Sequence, residues 1–284
     1  MNKILLTALL ALLALPLRAE ADEPQSESIG VVLSGGVARG FAHLGVLQAL
    51  EDYGIVPTHV AGSSMGAVLG SVYASGKSPA EIYSFARKQN YAQLYHPSLQ
   101  GALFKPVFLE KMLDQLIPHN SFDSLQKKLY VCMTNLNHAR SEVASSGTLK
   151  DKVVASASIP FVFQPVIIDS FTYVDGGLLN NLPADALRRE CKHVIGVSVS
   201  SNHELAQEQL KGMHSVMRCI SLIMVGNELP NHKHCDYLIE VSEAGSIGLM
   251  EFHRVEDFYA IGYKAAVSYI KKTPDILKLS SIKH

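Results

Sequence analysis

Short apolar runs and longer segments with helical spacing alternate along most of the chain. Apolar runs bounded by turn residues predict strands at Ile29–Leu33, Val56–Ala61, Leu129–Asn135, Glu142–Ser146, Val166–Asp169, Thr172–Val174, His193–Val199 and Tyr237–Val241. Apolar residues three and four positions apart predict helices at Ala38–Tyr53, Ala67–Ala74, Pro79–Arg87, Pro106–Leu116, Asp151–Ser156, Pro183–Arg189, Glu204–Gly226 and Val255–Lys271. No repeat or low-complexity stretch interrupts this order. The pattern therefore predicts one α/β domain with a mostly parallel central sheet and helices on both faces.

Two of the predicted helices begin at recognisable capping residues. Ser78–Glu81 supplies an N-cap serine, a proline in the first turn and an acidic residue, which together are typical of a helix N-terminus. Asn181 stands before the helix predicted at Pro183–Arg189, and we expect it to cap that helix.

The composition is that of a globular domain with a sizeable core. Of 284 residues, 48% are hydrophobic and 18% are charged, and the formal net charge is −1. No basic stripe or lysine-rich run is present, so a nucleic-acid partner is not expected. Cys132 and Cys191 lie in or beside apolar runs and are expected in the core, while a disulfide between Cys219 and Cys235 stays open.

The first 21 residues have the pattern of a secretory signal peptide. Lys3 precedes the uncharged, leucine-rich run Ile4–Leu17, and Ala19–Ala21 offers an A-x-A cleavage site. The run is shorter than the roughly 20 residues that a membrane-spanning helix needs. We therefore expect export to a periplasm or out of the cell, with residues 1–21 removed and 22–28 left as a flexible leader. An uncleaved anchor is the alternative.

A G-x-S-x-G turn is the strongest chemical signal. Gly62–Gly66 follows an apolar run and precedes the helix predicted at Ala67–Ala74, so Ser64 stands between a strand and a helix. In this context the turn presents a serine as a nucleophile. The free N–H groups and the dipole of the helix N-terminus also favour negative charge beside Ser64.

A glycine-rich loop, Ser34–Gly40, lies between the first predicted strand and helix. Such a loop can direct several backbone N–H groups at one point, either to bind phosphate or to form an oxyanion hole. Its spacing matches neither a dinucleotide-binding loop nor a P-loop. Because neighbouring parallel strands send their C-terminal turns to one sheet edge, we expect this loop to meet Ser64, which favours the oxyanion hole.

The base that would activate the serine is less obvious. Asp175, in the segment Tyr173–Gly177, is followed by two glycines, a pattern that is also typical of a hairpin turn. A catalytic serine usually has a histidine as its base. None of the twelve histidines stands in a telling context: His43 is expected on the polar side of the first helix, and His232–His234 forms a hydrophilic loop with a weak H-x-H metal pattern.

Three sequence blocks, in order, resemble those of the patatin-like phospholipases, serine acyl hydrolases that use a Ser–Asp dyad. Leu33–Leu47 resembles their glycine-rich oxyanion block, Val60–Gly76 their nucleophile block, and Ala155–Pro183 their aspartate block. The resemblance covers roughly Ile29 to Tyr269. It implies a three-layer patatin-like α/β fold over residues 29–273, followed by a C-terminal tail at 274–284.

Carried over position by position, the resemblance assigns roles. It implies Ser64 as nucleophile and Asp175 as general base, with no metal or organic cofactor. The oxyanion donors would come from Gly35, Gly36, Val37 and Met65. Supporting motif positions are Arg39, Gly40, Gly62, Gly66, Gly176 and Gly177. Arg39 would order the glycine loop, although an ordinary exposed helix arginine is the other interpretation.

The implied substrate is a lipid acyl ester, namely a phospholipid, a lysophospholipid or a neutral acylglycerol, and the implied partner is a membrane surface. The stretches Tyr91–Phe108 and Ile159–Val166 would line an acyl channel or touch a membrane, or else belong to the core. The oligomeric state has no sequence signal.

Val37 departs from the family pattern, which usually has a third glycine at this position. If the position requires a left-handed backbone, a β-branched residue strains the oxyanion hole and lowers activity. If the backbone there is ordinary, Val37 only narrows the acyl site. A catalytically silent lipid-binding protein and a general short-chain esterase therefore remain alternatives to a lipid hydrolase.

Overall fold

A computed structural model of the chain describes residues 27–91 and 106–282. The predicted signal peptide and most of the leader lie outside these residues, as do positions 92–105 of the aromatic stretch. Among the described residues, no helix has both the length and the apolar composition to cross a bilayer.

Eight strands of the described chain form one mixed sheet. Their bounds are β1 Ile29–Leu33, β2 His59–Ser63, β3 Lys128–Asn135, β4 Arg140–Ala144, β5 Val166–Ile168, β6 Phe171–Asp175, β7 His193–Ser198 and β8 Tyr237–Glu240. The order across the sheet is β5-β6-β3-β2-β1-β7-β8, and β4 also pairs with β3. The pairs among β3, β2, β1, β7 and β8 are parallel, while β4, β5 and β6 add antiparallel pairs at one side.

The α-helices of the described residues lie mostly between these strands. Their bounds are α1 Ala42–Asp52, α2 Met65–Ala74, α3 Pro79–Ala86, α4 Val107–Leu116, α5 Lys150–Ser156, α6 Ala184–Arg188, α7 Met213–Glu228 and α8 Val255–Lys272. Short 3-10 helices include Val37–Phe41 before α1 and Pro274–Ser281 after α8. In the latter, which lies in the segment predicted as a tail, Ile276 and Leu279 are buried.

Side chains of β1 point alternately to two hydrophobic clusters, one on each face of the sheet. Ile29, Val31 and Leu33 join the larger cluster, to which α1, α2 and α8 contribute. Val32 joins the smaller cluster, which includes residues of α6. Because strand side chains alternate between faces, this division places helices on both sides of the sheet. The three-layer, mostly parallel α/β architecture predicted from the sequence is confirmed.

Strand register brings the ends of β1, β2 and β6 together. Leu33 pairs with Gly62 between β1 and β2. On β3, Cys132 pairs with Ser63 of β2, and the next residue, Met133, pairs with Asp175 of β6. The glycine loop after β1, the serine after β2 and the aspartate that ends β6 therefore lie at one place on the sheet edge.

Several element bounds differ from the prediction. The second strand runs from His59 to Ser63 rather than from Val56 to Ala61, so it reaches the residue before Ser64. The first helix begins as a 3-10 turn. The long helix predicted from Glu204 begins only at Met213, after Gly212, whose φ of +56° places it in the left-handed region.

The cysteines are all free: Cys132 and Cys191 are buried, as expected for core residues, and no disulfide joins the exposed Cys219 to Cys235.

Candidate active site

The turn between β2 and α2 holds Ser64 in a strained conformation. Its φ is +53° and its ψ is −127°, which a non-glycine residue adopts only where the surrounding structure enforces it. Gly66 permits the turn to pack against the end of β1, because a Cβ there would lie 2.1 Å from the Leu33 carbonyl oxygen. A Cβ on Gly62 would lie 2.5 Å from the Gly66 carbonyl. The two flanking glycines are thus required for close backbone packing.

Ser64 and Asp175 are in direct contact, as the sequence predicted. The Ser64 Oγ donates a hydrogen bond of 2.6 Å to Oδ2 of Asp175, and both residues are buried. The Gly177 N–H donates to the other carboxylate oxygen, Oδ1, at 2.8 Å. Burial raises the pKa of Asp175 to about 7, although the hydrogen bonds from Ser64 and Gly177 oppose this shift. Near neutral pH the carboxyl group is therefore poised to accept a proton.

Three hydroxyl residues that the sequence analysis did not single out hold this pair in place. The Ser64 N–H donates to the Ser156 Oγ at 3.0 Å, and the Asp175 N–H donates to the Ser158 carbonyl at 3.0 Å. The Thr134 Oγ1 donates to the Asp175 carbonyl at 2.9 Å. Ser156 and Ser158 belong to the quoted aspartate block, but nothing in an Ala-Ser-Ala-Ser sequence distinguishes positioning serines from ordinary ones.

The glycine loop and the first residue of α2 have free backbone donors beside Ser64. The N–H groups of Gly36, Val37 and Met65 have no hydrogen-bond acceptor among the residues that the structure describes. Gly35 differs, because its N–H donates to the carbonyl and to the side-chain oxygen of Asn181. Gly35 therefore lies at the site without offering a donor; a Cβ there would lie 3.0 Å from the Ser64 Cβ.

Val37 adopts the left-handed backbone that the sequence analysis left open. Its φ is +52°, a region that β-branched residues rarely occupy. Its side chain is buried. Of the two backbone conformations considered for this position, the left-handed one is present, so the loop keeps a glycine-like conformation and carries strain at Val37.

Arg39 is buried rather than exposed on the helix surface. Its Nε and Nη2 donate to the Ile247 carbonyl at 3.2 Å each, and Nη2 also donates to the Gly245 carbonyl at 3.1 Å. Burial, together with the charge of Arg218, lowers the pKa of Arg39 to about 10. The guanidinium thus joins the C-terminal part of the glycine loop to the segment that precedes α8.

The remaining motif glycines allow close approach at the site. A Cβ on Gly40 would lie 2.3 Å from the Met65 side chain, one on Gly176 would lie 2.2 Å from the Cys132 carbonyl, and one on Gly177 would lie 2.4 Å from Met224.

Two predictions on polar residues are wrong. His43 is not on a polar face: it is fully buried, and its Nε2 lies 2.8 Å from the Ser34 carbonyl oxygen, to which it donates. Burial lowers its pKa to about 4, so it is neutral at ordinary pH. Asn181 does not cap α6, because its side chain is directed at Gly35 instead.

The H-x-H pattern does not form a metal cluster in the structure. His232 faces Glu228, with 3.6 Å between Nε2 and Oε1. Across residues 27–91 and 106–282, no group of three His, Cys, Asp or Glu side chains converges as metal ligands would.

A large apolar cavity opens beside Ser64. It holds about 980 Å³ of space free of protein atoms, its open mouth included. Apart from Ser64 and Tyr91, the described side chains that line it are apolar, among them Val37, Phe41, Val68, Leu69, Phe85, Phe108, Met112, Ile159, Phe163 and Phe252. The two aromatic stretches of the sequence thus contribute residues to this cavity. A smaller cavity lies on the other side of the glycine loop, against α7, and Val37 lines both.

Comparison with known proteins identifies the family of the chain. The sequence pattern of the patatin-like phospholipases matches residues 31–188, more than half of the chain. Lysophospholipase nte1 of Emericella nidulans is 26% identical over 284 aligned residues, covering 86% of this chain and 18% of its own length. Human patatin-like phospholipase domain-containing protein 6 is 29% identical over 187 residues, covering 62% of this chain and 14% of its own.

The chain therefore spans less than a fifth of the length of either relative. Among solved structures, VipD from Legionella pneumophila superposes with a TM-score of 0.59 at 16% identity, covering 88% of this chain and 67% of that one. This likeness concerns the fold. With the matched blocks carrying Ser64 and Asp175 at one sheet edge, the chain belongs to the patatin-like phospholipase family.

Proposed function

We propose that this protein is a serine hydrolase of lipid carboxylic esters that acts through a Ser64–Asp175 dyad. The observation that carries the proposal is the 2.6 Å hydrogen bond from Ser64 to a buried carboxylate at the wall of an apolar cavity. No histidine is needed as the base, since Asp175 itself contacts the hydroxyl.

In the first step, the ionised Asp175 accepts the Ser64 proton as Oγ attacks the ester carbonyl carbon. A carboxylate in water, with a pKa near 3.9, is a weak base. Because burial raises the pKa of Asp175 to about 7, it becomes a stronger base and is still largely ionised above neutrality. We expect the rate to rise as the pH passes through about 7.

The negative charge that develops on the carbonyl oxygen needs donors that are already in place. The free N–H groups of Gly36, Val37 and Met65 meet this need, and α2 begins at Met65. Removing one such donor typically costs about 10²–10³ in rate. Asp175 then returns the proton to the leaving alcohol, and water hydrolyses the acyl-enzyme with the same carboxylate as base.

The lining of the cavity supports a fatty acyl chain as the group that binds there. An acyl chain gains roughly 0.8 kcal/mol for each CH₂ removed from water. The names of two relatives, a lysophospholipase and a patatin-like phospholipase, support the same class. We therefore propose phospholipids, lysophospholipids or neutral acylglycerols, presented at a membrane or micelle surface, as substrates.

A catalytically weak or silent lipid-binding protein is the second candidate. The strained φ of Val37 favours it, because a strained loop spends less time with its donors aligned. A general short-chain esterase is the third, and it predicts turnover of soluble esters with no preference for micelles.

Hydrolysis of a lysophosphatidylcholine micelle and of soluble p-nitrophenyl butyrate, compared in one preparation, separates these candidates. The lipid hydrolase predicts micelle turnover that Ser64→Ala abolishes and that Ser75→Ala, a change at the opposite end of α2, leaves intact. Vesicle binding without Ser64-dependent turnover supports the silent protein. Turnover that persists in Ser64→Ala contradicts the assignment of the nucleophile.

We also propose, from the sequence pattern alone, that residues 1–21 direct export and are then removed. N-terminal sequencing of protein recovered from a bacterial periplasm or culture medium tests this. A first residue of Asp22 supports cleavage, and Met1 on a membrane-bound product supports the anchor.

A further inference from the structure

We infer that Glu228 is a positioning residue for the proposed oxyanion loop and acts on it through Asn181. This inference rests on the proposed function. Glu228 is the last residue of α7, stands outside the motif blocks, and touches neither Ser64 nor Asp175 in any recorded hydrogen bond.

The side-chain amide of Asn181 forms hydrogen bonds with both backbone polar groups of Gly35. Its Oδ1 accepts from the Gly35 N–H at 3.1 Å, and its Nδ2 donates to the Gly35 carbonyl at 3.3 Å. Because a trans peptide directs its C=O and N–H to opposite sides, holding the Gly35 carbonyl towards Asn181 turns the Gly36 N–H away from it. Gly36 is one of the proposed donors, so the Asn181 contact sets the direction of that donor.

Glu228 holds the Asn181 amide in the orientation that Gly35 requires. Its Oε2 accepts from the Asn181 Nδ2 at 3.0 Å and from the Ser200 Oγ at 2.6 Å. An ionised carboxylate only accepts hydrogen bonds, so it selects the orientation in which the amide NH₂ faces Glu228 and Oδ1 faces Gly35. The carboxylate thus reinforces the orientation that the Gly35 contacts favour, and it disfavours the flipped amide, whose Oδ1 would face a negative charge.

Glu228 is a buried charge, and its contacts connect α7 with Asn181 and Ser200. Glu228 is 2% exposed and lies where α7 passes into the 3-10 helix Leu229–His234, with His232 Nε2 3.6 Å from its Oε1. Burial alone would raise the pKa of Glu228, but the neighbouring His232 and the hydrogen bonds from Ser200 and Asn181 hold it below its ordinary value. Well-packed apolar residues can often replace a buried charge without loss of stability, so stability alone does not require a carboxylate here, and its contact with Asn181 points to the site.

The test uses the full chain with Glu228→Met and Glu228→Gln. Methionine keeps the length of the side chain but has no acceptor of comparable strength, whereas glutamine keeps one carbonyl oxygen for Asn181. Glu256→Met, at an exposed position of α8, is the matched control. Hydrolysis of p-nitrophenyl butyrate gives kcat and KM, and thermal unfolding gives Tm.

We expect Glu228→Met to lower kcat about tenfold with KM within about twofold, because the donors are misaligned while the acyl cavity is intact. Glu228→Gln should recover most of the loss, and Glu256→Met should match the wild type. If Glu228→Met does not fold, Glu228→Asp carries the test: it keeps the charge but withdraws the carboxylate from the Asn181 amide, so kcat should fall in the same way, and a wild-type kcat counts against the inference.

A kcat for Glu228→Met within twofold of the wild type overturns the inference, and so does an equal loss for Glu228→Gln. Amide hydrogen exchange of the peptide containing residues 34–40 gives a readout that does not depend on activity. We expect faster exchange there in Glu228→Met and not in Glu228→Gln. If the wild type has no Ser64-dependent turnover, the proposed function fails, and the exchange result alone decides whether Glu228 positions the loop.

Discussion

Replacing Val37 with glycine separates activity from stability. Val37 has a φ of +52°, and a left-handed backbone costs a residue with a Cβ about 1–2 kcal/mol. Because about 1.4 kcal/mol changes an equilibrium constant tenfold, this strain lowers the population of the aligned loop by about 5- to 30-fold relative to unstrained conformations of the loop. Val37→Gly removes the strain, so we expect a higher acylation rate, with about 5- to 30-fold as the upper limit of the gain.

Stability should change in the opposite direction. The Val37 side chain is 5% exposed and lines both cavities, so its removal forfeits about 1.5–3 kcal/mol of burial. Glycine also adds about 0.4–1 kcal/mol of conformational freedom to the unfolded chain. Relief of strain offsets only part of these terms, and we expect a lower Tm together with the higher rate.

The second-order rate of Ser64 labelling by a fluorophosphonate measures acylation directly, and unfolding in urea measures stability. Ala38→Gly is the matched control, because this buried neighbour is not among the residues with positive φ. An unchanged rate for Val37→Gly would refute the argument that strain limits acylation. A tenfold fall would show that valine is suited to the site.

Three further changes test other parts of the site. Asp175→Asn should raise Tm at pH 8 but not at pH 4. The pKa of Asp175 is about 7 in the folded protein and 3.8 in the unfolded chain, so the stability that Asp175 contributes is present below pH 3.8 and is lost as the pH rises through 7. Removing the buried charge should therefore raise the free energy of unfolding by up to about 4 kcal/mol at pH 8. Arg39→Met should lower the free energy of unfolding by about 2–4 kcal/mol in a urea titration, because the buried carbonyls of Gly245 and Ile247 lose their donor. Met112→Trp should shift the preferred p-nitrophenyl ester towards shorter acyl chains by filling the apolar cavity, and an unchanged chain-length profile would place the acyl group elsewhere.

The sequence was sufficient for the layers of the fold and for the two central residues of the site. Alternating elements predicted the sheet, and the order of the motif blocks pointed to Ser64 and Asp175. What the sequence could not give is the register that joins them. Their contact depends on β3, where Cys132 pairs with the end of β2 and Met133 with the end of β6. The residue pattern of one strand does not show which strand will be its antiparallel neighbour in a mostly parallel sheet.

Predictions failed where tertiary packing decides the environment of a polar residue. His43 stands at a position that helical periodicity reads as polar, yet α1 packs between the sheet and α8 and is buried on nearly every side. Asn181 has the right residue type and place for a helix cap, but its side-chain amide is hydrogen-bonded to Gly35 and Glu228 instead. Contacts such as these join residues 47 to 146 positions apart, so no local pattern reports them.

The most direct measurement of the central claim is covalent labelling of the protein by a fluorophosphonate, with the modified residue located by mass spectrometry. The account predicts one adduct on Ser64 in the wild type, no adduct in Ser64→Ala, and slower labelling in Asp175→Asn. The account would be contradicted if the folded wild-type protein took up no label, or if Ser64→Ala took up as much label as the wild type.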